Sequence, residues 1–74
     1  MIVQNNNTLK INGVVKEFPQ ALPATLADLL EQLNVESATV VAELDGQIIE
    51  REKFDSTTLK PGQNIELVRF VPGG

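Results

Sequence analysis

Cysteine and histidine, two residue types that often carry out chemistry or bind metals in proteins, are missing from this sequence. It has no cysteine, which excludes a disulfide framework, a thiolate metal site and a cysteine nucleophile. It has no histidine, the commonest metal ligand and the side chain best suited to proton transfer near neutral pH. A chain of 74 residues buries only about 60% of its unfolded surface, which leaves little room for an enclosed cavity. We therefore predict that the protein is not itself an enzyme and that it binds neither a metal nor a cofactor.

Basic residues are outnumbered by acidic ones, six to ten, which gives a net charge of −4. This charge repels phosphate, so we predict no nucleic-acid or anionic-membrane partner and favour a basic partner protein. The acidic residues do not follow a calcium-loop spacing, and we interpret them as solvated surface. The first residues lack the pattern of a secretion signal, and no segment approaches the roughly 20 apolar residues of a membrane span. We expect a cytoplasmic protein.

Two turn signals predict two β-hairpins. Asn12-Gly13 and Asp45-Gly46 are dipeptides that favour the two-residue turns of hairpins. The apolar runs that they separate are 8–11 and 14–18 for the first hairpin, and 40–44 and 48–49 for the second. Three consecutive asparagines precede the first run and are poor strand formers, so residues 1–7 are predicted to be a loose extension.

Leucines at helical spacing predict one helix of about ten residues between the hairpins. Thr25 is a candidate N-cap with Asp28 three positions later, and Asn34 is a plausible stop. The apolar stripe recurs at i, i+3, i+4 and i+7, which is typical of a helix packed on a sheet: Leu26, Leu29, Leu30 and Leu33.

The last strand is predicted over Ile65–Val71, the most strand-like run in the chain. It follows a charged connection around Phe54, which we interpret as solvated with one apolar anchor. If Ile65 and Leu67 face the core, alternation directs Phe70 outward, whereas a β-bulge would bury it. Both orientations of Phe70 stay open at this point.

The order strand, strand, helix, strand, strand, strand predicts an α+β fold. It suits a β-grasp arrangement, a mixed sheet of four to five strands with one main helix on one face and the first and last strands parallel in the centre. The predicted organisation is an extension over residues 1–7, a β-grasp domain over 8–71 and a flexible tail over 72–74.

The two final residues, Gly73 and Gly74, follow the last strand with only Pro72 between them and Val71. Glycine has no Cβ, so this pair can enter a channel too narrow for other residues and carry its α-carboxylate into the active site of another protein. A frayed end is the alternative interpretation. The position directly after a strand favours a tail whose direction is set by the domain.

The chain resembles the ThiS-type sulfur carriers, small proteins of the ubiquitin-like superfamily. The resemblance covers Thr8 to Gly74, and the segments that carry it are Ile11-Asn12-Gly13, Thr25-Leu26-Ala27-Asp28-Leu29-Leu30, Asp45-Gly46-Gln47-Ile48-Ile49, Arg51, Phe54, Leu59, Gly62, Ile65-Glu66-Leu67-Val68 and Gly73-Gly74.

This resemblance implies a sulfur carrier for synthesis of the thiazole ring of thiamine. A ThiF-type adenylyltransferase would use ATP to adenylate the carboxylate of Gly74, and a sulfur donor would convert it to a thiocarboxylate for a ThiG-type thiazole synthase. Gly73 and Pro72 would give access to the enzyme, and Phe70 and Val71 would belong to the docking surface.

Two alternatives remain at this stage. A MoaD-like carrier of molybdopterin synthesis, or a carrier or modifier serving another pathway, would use the same tail. A β-grasp interaction module without an activated terminus would need only the domain. Pro72 is a departure from the family pattern, because its fixed φ near −65° stiffens the tail just before the glycines.

Overall fold

Residues 7–70 are described by a computed structural model, and they form a five-stranded mixed sheet with one α-helix. The strands lie in the order β2-β1-β5-β3-β4, with β1 and β5 parallel in the centre and the other pairs antiparallel. This confirms the predicted α+β class and β-grasp arrangement. The elements are β1 (Thr8–Ile11), β2 (Val14–Glu17), α1 (Leu26–Gln32), β3 (Val40–Leu44), β4 (Gln47–Ile49) and β5 (Asn64–Arg69).

Both hairpins turn where the sequence predicts. Asn12 and Gly13 have φ of 49° and 84°, and Asp45 and Gly46 have φ of 50° and 85°. Positive φ at both central residues is the type I′ geometry, whose twist matches that of the paired strands. Asparagine, aspartate and glycine tolerate this region better than other residues, which explains the two dipeptides.

Helix α1 begins as predicted but is seven residues long rather than about ten. Thr25 Oγ1 accepts a hydrogen bond from the Asp28 backbone N–H at 3.2 Å, which satisfies one of the free donors of the first turn. At the other end Asn34 has φ of 58°, and Val35 N donates to Leu30 O at 2.9 Å. These two features form a Schellman motif, which ends the helix. Leu33 lies just past the last helical residue but still packs against the core, so the apolar periodicity of the sequence is longer than the helix.

The core lies between α1 and one face of the sheet. Phe54 is only 2% exposed and confirms the predicted apolar anchor of the charged segment. That segment is a 3₁₀ helix over Arg51–Ser56, and a second short 3₁₀ helix, Ser37–Thr39, leads into β3. The buried apolar residues are Leu9, Phe18, Leu26, Leu29, Leu30, Val40, Ala42, Phe54, Leu59 and Ile65.

Asn7, the first described residue, is bonded to the domain. Its backbone carbonyl accepts from Phe18 N at 2.8 Å, next to the pairing of Thr8 with Glu17. Its side-chain Nδ2 also donates to Gln20 O at 3.4 Å. The hydrogen bonding between the two strands of the first hairpin therefore extends to Asn7, the last residue of the segment 1–7 that was predicted as a loose extension.

Candidate functional site

Strand β5 is central in the sheet and leads directly toward the C-terminal tail. Its pairing with β3 is unbroken, from Ile65 opposite Leu44 to Arg69 opposite Val40. The next residue continues along the same edge, since Phe70 N donates to Thr39 O at 3.0 Å. Because no residue is skipped in this register, β5 contains no bulge along β3.

The unbroken register decides the orientation of Phe70. Ile65 is buried in the core, so alternation places Val68 and Phe70 on the opposite face of the sheet. Their exposed fractions are 58% and 44%. Phe70 therefore faces outward, and burial by a bulge, the alternative that the sequence left open, is excluded.

An apolar patch lies beside the end of β5 on the face away from α1. We define it by three residues, Val41, Val68 and Phe70. Val41 stands directly opposite Val68 in the β3–β5 pairing and is 42% exposed, while its neighbours Val40 and Ala42 are buried on the other face. Exposed apolar residues that cluster in this way are typical of a protein-binding surface. The exposed large apolar residues of the described range are Val14, Val15, Val41, Ile48, Val68 and Phe70.

Two glutamates adjoin the patch in the next row of the same face. Glu43 on β3 stands directly opposite Glu66 on β5, and Ile48 on β4 stands on the other side of Glu43. Like charges directly opposite each other in a sheet disfavour the folded state. A basic group of a partner placed over this pair would relieve the repulsion, in keeping with the net charge of −4.

Strand β5 is also bonded to the side chains of both hairpin turns, which the sequence analysis missed. Asn12 bonds to Leu67, 55 residues away, through Leu67 N to Asn12 Oδ1 at 2.8 Å and Asn12 Nδ2 to Leu67 O at 3.2 Å. On the other side Asn64 N donates to Asp45 Oδ1 at 2.9 Å. The only indication of these bonds in the sequence is that the first turn has an asparagine, Asn12, where the second turn has an aspartate, Asp45.

The predicted tail residues are only partly within the structure. Phe70 belongs to the apolar patch. Val71, Pro72, Gly73 and Gly74 lie outside the described residues. Their roles in docking, access and covalent attachment stay predictions.

Two negative findings apply to residues 7–70. No group of three or more acidic side chains there converges closely enough to hold a metal ion. No helix in the same range has the length and hydropathy needed to cross a membrane.

Comparison with known proteins gives a consistent family assignment. The model of the ThiS family matches residues 9–74. The uncharacterized protein ycf40 of Pyropia yezoensis is 30% identical over 73 residues, which cover 99% of this chain and 100% of that relative. The similarity to ycf40 thus includes residues ahead of Leu9, where the family model begins.

Solved structures show the same fold. The crystal structure of the thiamine biosynthesis protein ThiS from Geobacter metallireducens matches with a TM-score of 0.78 and 37% identity, covering 90% of this chain and 99% of that one. An NMR solution structure of a thiamine biosynthesis protein from the same organism matches with a TM-score of 0.74 and 37% identity, covering 90% and 87%.

Proposed function

Because the chain belongs to the ThiS family of small sulfur carrier proteins of thiamine biosynthesis, we propose that it carries sulfur as a thiocarboxylate on Gly74. The observation that supports this most is the course of β5. The strand is held in the middle of the sheet and ends at Arg69. The next residue, Phe70, belongs to the exposed apolar patch and stands four residues before Gly74.

The proposed chemistry needs an activated carboxylate. A carboxylate is a poor electrophile, so a ThiF-type adenylyltransferase uses ATP to form an acyl adenylate on Gly74, with release of pyrophosphate. A sulfur donor then displaces AMP and leaves a thiocarboxylate. The carrier supplies the reacting carboxylate and its presentation, and the partner supplies ATP binding and the catalytic groups.

The apolar patch is the proposed docking surface for the adenylyltransferase. Val68 lies on β5 and Phe70 directly follows this strand, so an enzyme that covers the patch binds next to the point from which the chain continues toward Gly74. From Phe70, four extended residues reach roughly 13 Å at about 3.3 Å each, enough to enter an active site while the domain stays outside. Glu43 and Glu66 favour basic residues at the edge of the enzyme's binding surface.

The second proposed partner is a ThiG-type thiazole synthase. It accepts the sulfur of the Gly74 thiocarboxylate for the thiazole ring and returns the carboxylate for another cycle. Gly73 and Pro72 form the narrow segment that enters both enzymes. Pro72 restricts the backbone there and lowers the entropy that the tail loses on entry.

Pyrophosphate exchange tests the activation step. Labelled pyrophosphate, ATP and a ThiF-type enzyme are incubated with the full chain or with a chain that lacks Gly73 and Gly74. We expect label to enter ATP with the full chain only, because exchange requires reversible formation of the acyl adenylate. Exchange that is equal with both chains, or absent with the full chain, contradicts the proposal.

A further inference from the structure

The side chain of Asn12 continues the pairing of β1 with β5 after the backbone of β1 has turned away. The last backbone bond between the two strands is Asn12 N to Ile65 O, at 2.9 Å. Two residues further along β5, Leu67 N donates to Asn12 Oδ1 at 2.8 Å, and Asn12 Nδ2 donates to Leu67 O at 3.2 Å. The carboxamide therefore offers Leu67 one acceptor and one donor, as another backbone residue would.

Leu67 is the last residue of β5 that is held from this side in the described part of the chain. Val68 and Arg69 pair with β3, and Phe70 N bonds to Thr39 on the same side. Beyond Leu67, the described residues Val68 to Phe70 are bonded along their β3 side alone. A contact at Leu67 therefore holds β5 on its β1 side three residues before Phe70.

The second hairpin turn shows that the turn geometry does not dictate an asparagine here. Asp45 has φ of 50° and Asn12 has φ of 49°, and each is followed by glycine. Asp45 has to supply only an acceptor, because Asn64 N donates to its Oδ1 while Asn64 O already accepts from the Asp45 backbone N–H at 2.8 Å. At position 12 the side chain meets both the N–H and the C=O of Leu67 on β5, so an aspartate there would leave Leu67 O without its donor.

We propose that Asn12 is a positioning residue for the terminal strand. Its carboxamide fixes β5 at Leu67 and so sets the direction in which the chain leaves at Phe70 toward the active site of the partner. The functional part of this inference rests on the proposed sulfur-carrier role, whereas the hydrogen-bonding part does not depend on it.

Amide hydrogen exchange tests the hydrogen-bonding part in the full-length protein. Asn12→Gly removes the carboxamide and keeps the positive-φ turn, and Asp45→Gly is the matched change in the other turn. We expect the Leu67 amide to exchange about tenfold faster in Asn12→Gly and to stay within about twofold in Asp45→Gly, since one hydrogen bond contributes roughly that factor. Unchanged exchange at Leu67 in Asn12→Gly overturns the proposal.

Adenylation kinetics test the positioning part. In Asn12→Gly we expect kcat to fall about tenfold with KM within about twofold, because the patch still docks while the tail is misdirected. Asn12→Asp keeps the acceptor for Leu67 N and loses the donor to Leu67 O, so kcat should fall in the same direction by a smaller factor. In these kinetics it replaces the glycine variant should that one not fold. Asp45→Gly should keep the kcat of the unmodified chain.

The outcomes separate the two proposals. If the Leu67 amide exchanges faster in Asn12→Gly while kcat is unchanged in both Asn12 variants, the positioning role is overturned. A fall of kcat that Asp45→Gly shares equally also overturns it, because the loss then follows general destabilisation. An unmodified chain that the enzyme does not adenylate contradicts the proposed function, and exchange at Leu67 alone then decides whether Asn12 holds β5.

Discussion

The two faces of the sheet use similar apolar residues for different purposes. In β3, Val40 and Ala42 are buried beneath α1, whereas Val41 between them is exposed on the open face. The covered face carries the residues that stabilise the fold. The open face keeps Val41, Val68 and Phe70 uncovered beside the end of β5. Three exposed apolar side chains that cluster beside the end of β5 suit the docking surface proposed for them.

The sharpest test of this contrast replaces one residue from each face. Leu29→Ala removes a fully buried side chain of α1 and should lower the free energy of unfolding by about 2–5 kcal/mol. Val41→Ala on the open face should change it by less than about 0.5 kcal/mol. Urea unfolding followed by circular dichroism measures both. Equal losses would mean that the open face also stabilises the fold.

A charge in the apolar patch should weaken docking without unfolding the domain. Val68→Glu should raise KM for adenylation by roughly 10- to 100-fold, because burial of one such side chain contributes about 1.5–3 kcal/mol. The change in unfolding free energy should stay within about 0.5 kcal/mol. Steady-state adenylation kinetics provide the measurement.

The matched control for Val68 is Val14→Glu. Val14 is 68% exposed and lies opposite Ile11, which packs against the core, so it is on the helix side of the sheet. We expect KM to stay within about twofold of the unmodified chain. A comparable rise of KM in Val14→Glu would show that added negative charge, and not the patch, controls docking.

Loss of the helix cap should have an intermediate effect on the covered face. Thr25→Ala removes the acceptor for Asp28 N and should cost about 1 kcal/mol of stability. Thermal unfolding should then show a midpoint about 4–8 °C lower for a domain of this size. Thr25→Ser, which retains the hydroxyl, should recover most of the loss, and a midpoint unchanged in Thr25→Ala would refute the cap.

The smallest expected effect concerns the paired glutamates of the open face. Glu43→Gln removes the repulsion with Glu66 and should raise the free energy of unfolding by about 0.3 kcal/mol at low salt. The gain should disappear near 1 M salt, where the screening length falls to about 3 Å. Glu50→Gln, which removes the same charge outside this pair, is the control. An equal gain there would assign the effect to net charge.

Local signals made much of the fold predictable. Asn12-Gly13 and Asp45-Gly46 are each the central pair of a four-residue turn, so the turn depends on residues adjacent in the sequence. The N-cap of α1 is also local, because Thr25 bonds to the backbone of Asp28, three positions later. The length of α1 was overestimated because Leu33 packs against the core although the helix ends before it. The 3₁₀ helix over Arg51–Ser56 has no apolar period of its own, since only Phe54 is buried.

Long-range pairing decided what the sequence left open. The outward orientation of Phe70 depends on the unbroken register of β5 with β3, which no local pattern encodes. The bonds of Asn12 to Leu67 join residues 55 apart in the chain. The Asn-Gly pattern predicts the turn, but it does not predict that the same Asn12 side chain also binds β5. The chemistry of the tail rests on Gly73 and Gly74, which lie outside the described residues.

The central claim is that Gly74 carries the sulfur, and mass spectrometry tests it most directly. The full chain is incubated with ATP, a sulfur donor and a ThiF-type adenylyltransferase, digested, and its C-terminal peptide is sequenced by fragmentation. We expect the mass gain of one oxygen replaced by sulfur, located on Gly74 and dependent on ATP. An unmodified C-terminal peptide in the presence of an enzyme that is active on its own carrier would contradict the account.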